Sequence, residues 1–139
     1  MSIASLPAST ALELFAISAP GLESCLGQEL KTLCPDAMVK PQPEGCTVIG
    51  TLSTLYKLNL WSRLATRVLL RIGTVRALHF PELVRKVAAL PWTEFARSPV
   101  RVRVSATAHR CRLIHTGALA ERVELALLDA GLIRTDEES

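Results

Sequence analysis

The apolar positions of the first half of the chain switch between two periods. Glu13 to Ala19 (ELFAISA) is an apolar run between a Ser/Thr/Pro-rich leader and Pro20-Gly21, which predicts a first strand. Leu22, Leu26, Leu30 and Leu33 then recur at helical spacing and share one face, with Pro20 preset for the first helical turn and Pro35 as the stop. Residues 37–42 and 46–52 flank a Pro-Glu-Gly turn and read as a hairpin in which Gly45 is available for a positive φ. Ser53 is the expected N-cap of a helix that buries Leu55, Leu58 and Trp61 or Leu64, leaves Lys57 and Arg63 outward, and carries Asn59 near its middle. Arg67 to Ile72 is the next strand, closed by Gly73.

The order β, α, β, β, α, β over residues 13–72 is the ferredoxin-like one, in which two helices cover one face of an antiparallel sheet. A second unit is expected from about Val75. Phe80-Pro81 opens a helix through Leu83, Val84, Val87, Ala88 and Leu90, Pro91 stops it, and Trp92 plugs the following turn. Val100, Val102 and Val104 alternate with Arg101, Arg103 and Ser105, predicting a strand with one apolar face and two guanidiniums on the other. A polar loop with His109, Arg110 and Arg112 leads into a helix predicted from Gly117 to Gly131, with Leu119, Val123 and Leu127 on one face. Phosphate is favoured at that helix start, beside His115, Thr116 and Gly117, because first-turn N–H groups are unpaired there; the plainer reading makes Thr116 an N-cap and His115 a turn residue. The fold class is therefore α+β, with domains at 1–74 and 75–139 and a boundary anywhere between 45 and 75.

Composition narrows the class. With 139 residues, 49% hydrophobic and 21% charged, the chain suits one ordinary domain or two very small ones. It has no bilayer-length apolar stretch and no signal-peptide pattern, so the expected location is cytoplasmic, without membrane association. Cys25, Cys34, Cys46 and Cys111 contain no C-x-x-C pair and are expected as buried free thiols suited to a reducing compartment. His109, Cys111 and His115 lack a local fourth ligand, so no metal is assigned.

The net charge of +3 hides a block structure. Residues 61–115 carry Arg63, Arg67, Arg71, Arg76, Arg85, Lys86, Arg97, Arg101, Arg103, Arg110 and Arg112 against only Glu82 and Glu94, while both flanks are net acidic. Arginine forks match phosphate oxygens, which favours nucleic acid over a merely solubilising face. The candidate RNA-contacting set is Arg63, Arg67, Arg101, Arg103, His109, Arg110, Arg112, His115 and Thr116. Aromatic residues are only 4%, so shape readout of folded RNA is expected over base stacking, with Trp61 and Trp92 as packing residues.

The segments LFAISAPGLESCLGQEL, YKLNLWSRLATRVLL, PWTEF and VRVRVSATAHRCRLIHTGALAERVELAL occur in an order that resembles the N-terminal region of THUMP-domain RNA methyltransferases. The nearest type is the bacterial one that modifies a guanine amine in large-subunit ribosomal RNA. The resemblance implies a ferredoxin-like unit followed by an RNA-binding THUMP unit, with methyl transfer from S-adenosylmethionine left to a separate Rossmann-like domain. It places Asn59, Trp61, Ser62, Arg63 and Arg67 in the family's helix-to-strand junction, and His115, Thr116 and Gly117 in its strand-loop-helix segment. No glycine-rich cofactor turn and no Asn-Pro-Pro-Tyr-like motif occurs, so no catalytic or cofactor residue is assigned and the chain is not expected to methylate alone.

The family pattern continues past the last helix, so the THUMP unit is expected to be incomplete, with exposed strand edges that favour self-association. The leading function is an RNA-binding module that positions structured RNA, rRNA or tRNA, for a methyltransferase domain in cis or in trans. The alternative is a ferredoxin-like protein-interaction or dimerisation domain without RNA contact. An enzyme built on His109, His115 and Glu121 has no supporting motif.

Overall fold

A computed structural model describes residues 6–95, 101–107, 116–129 and 133–134. The elements fall into two compact units, one spanning Ala4–Arg71 and the other running from Ile72 onward.

In the first unit β1 (Leu12–Ile17), α1 (Glu23–Leu33), β2 (Met38–Gln42), β3 (Gly45–Gly50), α2 (Leu52–Trp61) and β4 (Arg67–Arg71) follow in the expected order. The sheet runs β2-β3-β1-β4 with every neighbouring pair antiparallel, which is the ferredoxin-like arrangement. The period-2 pattern sorts the two faces. Leu12, Leu14 and Ala16 of β1 join Cys46 and Val48 of β3 beneath the helices, where Leu26, Leu30 and Leu58 close the core. Leu14, Leu26, Leu30 and Leu58 are essentially inaccessible to water, so truncating any of them to alanine costs about 2–5 kcal/mol.

Several local expectations shift. Pro20 lies in a turn ahead of α1 rather than inside its first helical turn, because Gly21 adopts φ +88° and Leu22 becomes the N-cap. In the hairpin the positive φ belongs to Glu44, at 73°. Gly45 is a strand residue opposite Ile17 and Gln42, where an added Cβ would lie 2.0 Å from the Ala16 carbonyl oxygen. Helix α2 starts from Thr51, whose N–H donates to Thr54 Oγ1 at 3.0 Å, so Ser53 is already helical.

The second unit contains α3 (Phe80–Ala88), α4 (Trp92–Phe95), β5 (Arg101–Val102), α5 (Thr116–Asp129) and β6 (Ile133–Arg134). Pro81 stands at the start of α3 as expected, and α3 packs along α5 around buried Val87, Ala126 and Leu127. The Trp92 indole N–H donates to the Val87 carbonyl at 2.7 Å, which fixes the half-buried ring at the end of α3. Over the described positions 102–105 the alternation survives in burial, with Val102 and Val104 half-buried and Arg103 and Ser105 exposed, but the strand itself is two residues long. Its partner among the described residues is the equally short β6, paired in parallel, so the ladder stops at Val102.

Candidate nucleic-acid interface

The connection from α2 to β4 is held at both ends by groups distant in sequence. Glu29 on α1 presents one carboxylate oxygen, Oε1, which accepts from Ser62 Oγ, from the Arg63 N–H at 2.9 Å and from the Leu64 N–H at 3.4 Å. Ser62 Oγ in turn accepts from the Ala65 N–H. At the far end the Thr66 N–H and hydroxyl both donate to the Ile17 carbonyl, at 2.8 and 3.2 Å. A carboxylate gathering these donors does for this turn what an anion does at a backbone nest.

The result is a fixed turn that leaves Arg63 and Arg67 in solvent. Neither guanidinium pairs with a carboxylate among the described residues, whereas nearby Arg71 is tied to Glu13 at 2.5 Å. Lys57 is also exposed, as its place on α2 predicts. Asn59 is turned to its own helix, donating to the Leu55 carbonyl at 2.8 Å. Sequence reasoning missed Glu29: nothing local marks a glutamate whose partners lie more than thirty residues away.

Trp61 departs from its expected packing role and is 66% exposed at the last position of α2. Leu55 and Leu64 take half-buried positions, and Thr54 joins Leu58 in the core. Tyr56 and Leu60 are exposed on the same helix.

In the second unit Arg103 is exposed and makes no ion pair among the described residues. Arg101 lies in β5, and Thr116 is the first residue of α5 rather than its cap, one position earlier than the predicted start. His109, Arg110, Arg112 and His115 lie outside the described residues. Of the candidate set, the structure places Arg63 in the α2–β4 turn and Arg67 at the first position of β4, both in the first unit; Arg101, Arg103 and Thr116 belong to the second.

Thiol chemistry is muted in the core. Cys34 and Cys46 are buried as expected, and burial pushes both thiols above their ordinary pKa; the Glu23 carboxylate adds to the rise at Cys46, while Lys57 and Lys31 oppose it at Cys34 and Cys46 respectively. Cys25 is exposed, contrary to expectation, because it lies off the leucine face of α1. Among the described residues no three His, Cys, Asp or Glu side chains converge as a metal site, and no helix is long and apolar enough to cross a membrane.

Residues 13–69 match the family model described as the RlmL ferredoxin-like domain. The chain is 36% identical over 115 residues to a Synechocystis sp. protein named as an RNA methyltransferase, covering 83% of this chain and 30% of that one. It is 33% identical over 126 residues to the ribosomal RNA large subunit methyltransferase K/L of Syntrophotalea carbinolica, covering 91% of this chain and 18% of the relative. Among solved structures, a Listeria monocytogenes protein named as an N6-adenine-specific DNA methylase superposes with a TM-score of 0.78 at 28% identity, over 87% of this chain and 31% of its own. The methyltransferase SMU.472, solved with SAH, gives a TM-score of 0.78 at 25% identity, over 85% of this chain and 31% of its own. The chain spans about a third or less of the length of these relatives. With the matched residues folded into the β2-β3-β1-β4 sheet, the first unit is a ferredoxin-like domain that matches the RlmL type, and the chain is similar to the corresponding region of bacterial RNA methyltransferases.

Proposed function

We propose that this chain is an RNA-binding module that presents structured RNA to a methyltransferase domain using S-adenosylmethionine, carried in cis or supplied in trans. The second unit acts in this reading as a THUMP-type RNA-binding unit, and rRNA or tRNA is the substrate class. The observation that carries the proposal is the pair of solvent-facing arginines, Arg63 in and Arg67 directly after a turn locked by Glu29 and by β1 inside the RlmL-type domain. Guanidiniums carried on a fixed backbone, without carboxylate partners among the described residues, are available to phosphate oxygens.

The test is the salt dependence of binding to a folded rRNA stem-loop. Each neutralised phosphate contributes about 0.7–0.9 to the slope of log affinity against log salt. Arg63→Ala with Arg67→Ala, and separately Arg101→Ala with Arg103→Ala, should each weaken binding and lower that slope by about 1.4–1.8. Unchanged affinity in both double variants would reduce the charge to a solubilising role. Salt-insensitive self-association without RNA affinity would instead support the protein-interaction reading, which rests on the apolar residues of the outer sheet face.

A further inference from the structure

The face of the four-stranded sheet turned away from α1 and α2 is a grid that the register defines. One row runs Met38, Ile49, Glu13, Arg71; the next Lys40, Thr47, Phe15, Leu69; the third Gln42, Gly45, Ile17, Arg67. No element of this unit covers it: Met38 is 70%, Ile49 42% and Leu69 41% exposed, around a half-buried Phe15 at the centre. Cations stand at both edges, Lys40 on β2 and Arg67 and Arg71 on β4, and the one carboxylate, Glu13, is neutralised by Arg71.

We propose that this outer sheet face binds a short single-stranded RNA segment, two or three bases lying across Phe15, Ile49 and Leu69 with their phosphates reaching Lys40 and Arg67. The proposal rests on the RNA-binding reading above and deepens it by assigning a second, single-strand-specific surface. Size argues for this occupant. Four strands about 4.8 Å apart and three rows about 6.8 Å apart make a patch of roughly 400 Å² in projection, against about 800 Å² per partner for a stable protein dimer. Two or three stacked bases are what an open four-stranded sheet with a central aromatic accommodates. Charge argues the same way, since an apolar centre with cationic edges matches bases flanked by phosphates, and a second copy would set cation against cation.

The full chain should be titrated with a fluorescent single-stranded adenylate hexamer and with a blunt hairpin RNA lacking single-stranded segments. Phe15→Leu keeps the apolar volume and removes the aromatic face; Lys40→Ala, on the opposite edge from Arg67, removes one cation from an exposed edge position. Phe15→Leu is expected to weaken hexamer binding about tenfold, and Lys40→Ala to lower its salt slope by about 0.7, with hairpin affinity changed less than twofold by either. If Phe15→Leu fails to fold, the slope change in Lys40→Ala still decides. Hexamer binding indifferent to both variants overturns the proposal, as does hairpin binding with no hexamer binding, which leaves the RNA-binding reading standing. Self-association abolished by Phe15→Leu gives the face to a second copy and overturns it too. Absence of all RNA binding overturns both readings.

Discussion

Gly45 and Gly21 are glycines for opposite reasons, and substitution separates them. At Gly45 an added methyl meets the Ala16 backbone at 2.0 Å in the middle of the sheet, so the strands must part; at Gly21 space is open and only φ +88° resists a side chain. Gly45→Ala should cost about 3 kcal/mol and Gly21→Ala about 1 kcal/mol, read as midpoint shifts in urea unfolding. The reverse order would mean the sheet relaxes around the new Cβ. The Pro-Glu-Gly sequence announced a tight turn, but not which residue would take the left-handed conformation, because that is set by how β3 lies against β1. Thiols sort similarly. Alkylation followed peptide by peptide should modify exposed Cys25 well before Cys34 and Cys46. Because burial raises the last two, the folded protein holds their protons more tightly than the unfolded chain, whose thiols titrate near 9.0. Their contribution to stability is complete below that pH and is lost as pH rises through the folded values. Unfolding midpoints should therefore fall as pH rises above about 9.0, and less steeply in Cys34→Ala, whereas parallel falls would place the titrating groups elsewhere.

At the scale of elements, patterns within a segment were legible and pairings between segments were not. The leucine spacing of α1 announces a buried face that Leu26 and Leu30 supply, with Leu33 half-buried, whereas Leu22 becomes the N-cap and is exposed; the apolar run of β1 announces a strand, and the fold sorts it into alternating faces. The clamp on the α2–β4 turn carries no such signal, since Glu29 is one half-exposed carboxylate on a helix with several. The Val/Arg alternation near residue 102 shows the converse: a strand pattern is present, but strand length is set by how far β6 pairs with it. If Glu29 organises the turn, Glu29→Ala strands the Arg63 and Leu64 N–H groups and should lower stability by about 1–2 kcal/mol, allowing for partial exposure. Glu29→Gln keeps an acceptor and should lose about half as much. The same order should hold for stem-loop RNA affinity, because Arg63 is presented from that turn. Stability that falls while RNA affinity stays constant would make the clamp purely structural. In the second unit the Lys86 ammonium at 2.7 Å and the Leu78 N–H hold the Glu82 carboxyl below its ordinary pKa, a half-exposed local pair that staples the start of α3 to its second turn.

For the whole molecule, a basic block in the sequence is not yet a basic surface. The stretch 61–115 crosses the division after Arg71, so Arg63, Arg67 and Arg71 fall in one unit and the other cations of the block in the other. Each unit also carries acidic residues, and the total of +3 is small for a polyanion binder of this length. Affinity for RNA must therefore come from where guanidiniums stand, not from overall charge. The sequence pI of about 8.9 makes this testable. Between pH 7 and 8.9 the charge lost comes from thiols and the terminal amine, while guanidiniums stay protonated well beyond that range. Local arginine contacts thus predict that stem-loop RNA binding at pH 8.9 keeps the salt slope it has at pH 7, although the net charge has fallen toward zero. A slope that shrinks in step with the net charge would assign the affinity to a diffuse field and remove the reason for singling out Arg63 and Arg67. Because the buried thiols begin to lower the stability of the first unit as pH approaches 9, the unfolding midpoint is measured at both pH values, and an unchanged folded fraction separates a loss of binding from unfolding.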